Sequence, residues 1–176
     1  MRLKNKKSSG FTLIEVLIAS AIAAVIGAVI VVAFISGQNS FVMGTNLLEI
    51  HVDARVAMEW IVRDVQWAND GVITYIGGAN VLVLSIPSID AANDIKDMYF
   101  DSVVYTLNGT NLMRLVEPDA VSSRIPASDT IANNITNLQF TALAKNVAVS
   151  LTAQKTVLGG RVISETLNDS IKMRNF

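Results

Sequence analysis

The chain of 176 residues has no cysteine. That excludes a disulfide framework and thiolate chemistry, so any folded domain must be held together by its own core. Histidine occurs once, as His51, and proline three times, first as Pro87. His51 falls on or beside an apolar helical stripe, where a lone imidazole reads as a packed or capped residue. General-base chemistry would also want an orienting partner. No G-x-S-x-G, P-loop or H-E-x-x-H motif occurs, so neither an enzyme nor a cofactor is expected. Charge is sparse and nearly balanced, with 14 basic and 15 acidic side chains. Without a basic patch, nucleic acid is not an indicated ligand.

The charge that is present is unevenly placed. Residues 1–10 carry Arg2, Lys4, Lys6 and Lys7 and no acid. Apolar residues then run from Phe11 to Ile35, broken only by Thr12, Glu15, Ser20 and Gly27. A membrane-spanning helix needs about 20 apolar residues, and this run suffices. Positive charge before the span keeps the N-terminus cytoplasmic and places the rest of the chain outside.

Three readings of this segment compete. A secretory signal peptide has an apolar core of about 7–15 residues followed by a small-residue cleavage site. Ala19-Ser20-Ala21 and Ala21-Ile22-Ala23 have that form, but both sit inside the run. A plain single-span anchor needs only the length and accounts for neither Gly10-Phe11 nor Glu15. The third reading is cleavage between Gly10 and Phe11, where a small residue lets a protease hold the backbone closely. It removes four of the fourteen basic residues, leaving ten against fifteen acids, a side-chain charge of −5.

Glu15 is the one charged residue in the run. An acid inside a spanning segment is costly and marks function by default. It lies four residues after Phe11, one turn on along a helix that starts there. The bland alternative is a first-turn carboxylate favoured by the helix dipole or reaching the headgroups.

The stretch SSGFTLIEVLIA, Ser8–Ala19, resembles the processing and assembly signal of type IV pilins and of the pseudopilins of type II secretion. The leader, the glycine, the aromatic, the glutamate and the run length match in order. The resemblance covers about the first thirty-five residues. It implies cleavage after Gly10 by a prepilin peptidase and methylation of the new amine on Phe11. It also implies that Glu15 pairs with the Phe11 amine of a neighbouring subunit as helices stack, or recruits an incoming subunit. A paired buried charge costs much less than an unpaired one, so Glu15 would set axial register. The implied partners are the peptidase, other pilins or pseudopilins through the helix, an inner-membrane assembly platform, and lipid before assembly. The implied location is a bacterial inner membrane, with the C-terminal domain extracytoplasmic, and then a pilus or pseudopilus. Many major pilins have a helix-breaking proline in the apolar half; this chain has none.

The helical pattern continues past Ile35. Leu47, Ile50, Ala54, Met58, Ile61, Val65 and Ala68 recur at spacings of three and four, which is one helical face. Arg55–Glu59 and Glu59–Arg63 are i,i+4 pairs. One helix is therefore expected from Phe11 to about Ala68, roughly 85 Å long at 1.5 Å per residue, with Gly37 and Gly44 as soft points. Asn69-Asp70-Gly71 ends it with turn chemistry. Strands follow at Val72–Ile76 and Val81–Ile86, Tyr99–Leu107 and Leu112–Val116, Ile135–Leu143 and Val147–Ala153, with another at Arg161–Thr166. Gly77–Asn80 and Asn108–Asn111 read as hairpin turns, and Glu117–Asp129 as a surface loop. The expected organisation is a leader over 1–10, a filament-core or transmembrane helix over 11–35, an amphipathic continuation over 36–69, and a β-sheet domain over 70–176. The fold class is α+β, a long helix packed on an antiparallel sheet.

Two weaker signals remain. Arg63-Asp64 late in the helix and Arg174-Asn175 near the end resemble minor pilins and J-type minor pseudopilins; the bland reading of Arg63-Asp64 is a solvated helix face. Asp90, Asp94, Asp97 and Asp101, with Asn93, form an acidic stretch. Its spacing matches no EF-hand loop, so it reads as a solvated loop, with calcium as the alternative. The sequence favours a minor pilin or pseudopilin that takes part in filament assembly. A major pilus subunit, a pilus-presented adhesin or DNA-uptake binder, and a plain anchored periplasmic protein stand as alternatives.

Overall fold

A computed structural model describes residues 10–76, 79–143, 145–157 and 159–173. Helix α1 spans Leu13–Trp67 and is followed by eight strands. These are β1 (Asp70–Ile76), β2 (Ala79–Ile89), β3 (Ile95–Asn108), β4 (Asn111–Glu117), β5 (Ala127–Ala132), β6 (Ile135–Leu143), β7 (Asn146–Thr156) and β8 (Val162–Lys172). The chain divides into two compact units, Met1–Gly44 and Thr45–Phe176. The architecture is α+β, one long helix with antiparallel sheets, like that of type IV pilins.

In the first unit the helix is exposed except at half-buried Met43, and it is apolar over most of residues 13–35. It is long and apolar enough to cross a membrane. Nothing interrupts it at Gly27, Gly37 or Gly44, where an added Cβ meets no atom within 4 Å. No proline breaks its hydrogen-bond ladder, although valine, isoleucine and glycine, all modest or poor helix formers, are frequent in it.

In the second unit the sheet divides in two. Strands β1 to β5 form a five-stranded meander in chain order, and β6 to β8 form a separate three-stranded sheet. Asn134, between β5 and β6, takes the left-handed conformation with φ 58, which asparagine tolerates better than most residues. Its amide donates to Asp53 Oδ2 at 2.8 Å, fixing the crossover to the helix. The Asn108–Asn111 hairpin forms around Gly109 at φ 63, with Asn108 paired to Asn111, the backbone a two-residue turn requires. Residues 77–78 lie outside the described residues, but Ile76 pairs with Ala79 across them.

The helical stripe read from the sequence is the core face. Ile50, Ala54, Met58, Ile61, Val65 and Ala68 are buried, joined by Ala57. Leu47, expected there, is 48% exposed. The sheets close the core with Leu82, Leu84, Val103 and Tyr105 from one and Ile135, Phe140, Val147, Val149 and Leu151 from the other.

Four expectations need correction. Asp70-Gly71 do not form a turn. They open β1 directly, and Asn69 N–H donates to Ser85 O at 2.9 Å. Glycine at 71 serves packing instead, since an added Cβ would lie 3.3 Å from Leu84 and 3.4 Å from Met173. Residues 127–129, placed in a surface loop, begin β5, which pairs with β4 through Val116↔Ala127 and Leu115↔Ser128. The last strand extends to Lys172 rather than Thr166. Strand β2 also runs past Pro87, which sits at a register shift between Pro87 and Ser88, where a missing N–H is tolerated.

Candidate functional site

The helix start is built by four residues. Gly10, Phe11 and Thr12 precede the helix and Leu13 opens it. Thr12 is the N-cap. Its amide and its hydroxyl each donate to Glu15 Oε2 at 2.9 Å, and Glu15 N–H donates to Thr12 Oγ1 at 3.4 Å. This is a reciprocal capping box, S/T-x-x-E, that satisfies donors a helix start otherwise leaves open. The pattern Thr12-Leu13-Ile14-Glu15 is legible in the sequence just before an apolar run, and the reading above missed it.

Phe11 is therefore not in the helix, contrary to expectation, because Thr12 caps the turn and the chain before it leaves the helical path. Phe11 is 89% exposed. An added Cβ at Gly10 meets no atom within 4 Å, so nothing in the chain's own packing demands glycine there. Residues 1–9, which hold the four leader charges, lie outside the described residues.

Two buried carboxylates organise the second unit. Asp64, expected on a solvated helix face, is only 4% exposed. Tyr105 Oη donates to Asp64 Oδ2 at 2.6 Å, and Arg114 Nε donates to the same oxygen at 2.6 Å. Strands β3 and β4 bring these partners, 41 and 50 residues away in sequence. Burial first, and then the Asp64 charge, push the Tyr105 phenol well above its ordinary value. Burial disfavours the Arg114 cation, but the Asp64 hydrogen bond and charge outweigh it and raise its pKa. Arg63, expected to pair with Glu59, stacks its guanidinium 3.8 Å from the centre of the Trp60 ring and lies 3.5 Å from Asp64. Arg174-Asn175 lies outside the described residues.

Asp101, expected in a solvated acidic loop, is fully buried. It accepts from Ser88 Oγ at 2.7 Å, from Asp119 N–H at 2.9 Å and from Ser122 Oγ at 2.9 Å, and it is ion-paired with Arg124. Arg124 also donates to Pro87 O at 2.7 Å. The segment between β4 and β5 is thus tied down on one carboxylate. Asp90 accepts from the Ala92 and Asp94 amides at 2.9 and 3.0 Å and pairs with Lys96 at 3.1 Å. Among the described residues no group of three or more His, Cys, Asp or Glu gathers to hold a metal ion. His51 pairs through Nδ1 with Glu165 on β8.

The Asp101 cluster carries a pH prediction. Burial disfavours its charge, but the Ser88, Asp119, Ser122 and Arg124 contacts together outweigh burial and hold its pKa below the ordinary 3.8. A depressed carboxylate contributes stability above its unfolded pKa and loses it as pH falls through the folded value. Asp101→Asn is expected to cost about 2 kcal/mol at pH 7, because the amide keeps one acceptor oxygen but leaves buried donors unsatisfied. Urea unfolding of both proteins from pH 7 down to pH about 2.5 should show that difference constant above pH about 5 and shrinking below about 3.8.

The family model described as the prokaryotic N-terminal methylation motif matches residues 5–33, which include Gly10, Phe11, Thr12 and Glu15. No curated protein matches the chain. The chain thus carries the N-terminal methylation motif of type IV pilins, and with its long helix and antiparallel sheets it is consistent with the type IV pilin and pseudopilin family.

Proposed function

We propose that this chain is a minor pilin or minor pseudopilin, a non-enzymatic subunit that takes part in assembling or initiating a type IV pilus or type II secretion pseudopilus. The carrying observation is the methylation motif over residues 5–33 and the exposed apolar part of the helix, residues 13–35, in which Glu15 is the one acid. An apolar helix of this length needs lipid or other helices around it. A prepilin peptidase cuts after Gly10, and the new amine of Phe11 is methylated. The subunit waits in the inner membrane with residues 70–176 outside, then enters the filament through residues 11–35. There Glu15 meets the Phe11 amine of a neighbour, and register is rewarded because only a correct stack pairs the two charges. The minor role rests on the late-helix Arg63-Asp64, whose carboxylate joins helix to sheet, and on the resemblance that pair carries.

The test is the intact mass of the protein taken from membranes with and without the peptidase. Loss of residues 1–10 and gain of one methyl group, only with the peptidase present, is the expected result. An unprocessed chain of 176 residues in both samples would leave a single-span anchored domain and remove the filament reading.

A further inference from the structure

The three-stranded sheet buries one face and presents the other outward, exposed on β6 and β8 and half-exposed on the central β7. Along β7 the buried residues are Val147, Val149, Leu151 and Ala153, and the residues between them face outward. Strand pairing sets the outward positions into rows. Asn137–Thr152–Thr166 is one row and Gln139–Ser150–Asn168 the next. The third is Thr141–Ala148–Ser170. None of these rows contains a charge or an aromatic ring, whereas about 25–35% of a typical solubilising surface is charged. The hydroxyls of Thr152 and Thr166 lie 3.0 Å apart, a contact that ties two members of the first row together. Small Ala148 opens a shallow depression of about 410 Å³, with Asp169 the one carboxylate among its lining residues.

The geometry points to this face as a binding surface for a neutral polysaccharide. Hydroxyl and carboxamide groups both donate and accept hydrogen bonds, which suits a ligand whose own groups do both, as sugar hydroxyls do. Nucleic acid and anionic lipid call for cations the rows lack. A protein partner, including a second copy, calls for aromatic, Met or Arg anchors, and interfaces are depleted in serine. Strands about 4.8 Å apart, with same-face residues about 6.8 Å apart, make a regular grid. A grid fits a repeating polymer better than one small molecule. Side chains on strands are preorganised, which lowers the cost of binding. Without an aromatic platform each contact is weak, and retention comes from many contacts along the polymer. The inference concerns this face alone and stands whether or not the chain enters a filament.

The experiment sediments the full chain, in a detergent without a sugar headgroup, with microcrystalline cellulose, chitin and cross-linked dextran. Heparin-agarose and phenyl-agarose are the controls. Retention is expected on at least one neutral polymer and should change less than about twofold between roughly 0.05 and 0.5 M salt, since no charge pairing is involved. Ser150→Glu and Thr166→Glu should each lower it about tenfold or more, by burying an unpaired charge against the polymer, with thermal unfolding unchanged. If Ser150→Glu fails to fold, Thr166→Lys on the edge strand β8 replaces it. Retention on none of the three polymers, or only on a control matrix, overturns the inference. So does equal retention of the variants. Self-association that the variants abolish would overturn it too, by assigning the face to a second copy.

Discussion

Asp64→Ala is expected to cost the second unit about 3–5 kcal/mol, the range for removing one partner of a buried ion pair. The carboxylate oxygen that takes both Tyr105 Oη and Arg114 Nε at 2.6 Å disappears. Arg114, whose side chain is 15% exposed, is then left charged at the wall of a cleft of about 450 Å³, without the carboxylate that held it. Tyr105, fully buried, loses the acceptor for its hydroxyl. The unmet groups, rather than the pair's own attraction, make up most of the loss. Tyr105→Phe removes a single donor and should cost about 1 kcal/mol. The double change Asp64→Leu with Arg114→Met removes the charges together and should recover much of the loss, because an apolar replacement of similar volume is often neutral. Urea denaturation of the full chain in detergent measures all three. A loss under about 1 kcal/mol for Asp64→Ala would mean that Arg114 finds water, and that the carboxylate does not tie the helix to the sheet.

Glu15→Ala should lower incorporation into filaments by about a hundredfold or more, the size that breaking a buried charge pair implies. The folded state of the second unit should be untouched, because Glu15 contacts only Thr12 among the contacts described. The readout is the fraction of processed protein in sheared filaments against that left in the membrane, with thermal unfolding as the control. Thr12→Val separates two roles of the acid. It removes the hydroxyl contacts of the capping box while leaving the carboxylate free to meet a neighbour's amine. Normal assembly of Thr12→Val beside failed assembly of Glu15→Ala is the outcome that intersubunit pairing requires. Equal failure of both would make the box, and hence the helix start, the important element. Normal assembly of Glu15→Ala would remove the register role altogether.

The residue patterns that could be read in advance were local ones. The T-x-x-E box is equally legible, since its partners are three residues apart. The hairpin at Asn108–Asn111 follows from turn chemistry, and the core stripe from Ile50 to Ala68 follows from helical period. Leu47 fits that period and is still exposed, because period shows which face is apolar but not where along the helix the cover begins. Asp64 and Asp101 could not be placed in the same way. Each reads as an ordinary surface acid, although its neighbours are mostly apolar, Ile61, Val62 and Val65 for Asp64 and Tyr99, Phe100 and Val103 for Asp101. Their burial depends on Arg114, 50 residues on from Asp64, and on Arg124, 23 residues on from Asp101.

By itself, then, the sequence determined the basic first ten residues, the apolar run with its single acid, the long helix and the alternation of most strands. All of these arise from neighbours within a few positions, where steric preference and period act. Only the tertiary structure decided that the strands divide into two sheets at Asn134 and that two acids are buried with arginines. It alone lined up the neutral polar rows of β6, β7 and β8 as one surface. Such features are set by which distant segments meet, and a charge or a hydroxyl acquires its energy from that meeting and not from its place in the chain.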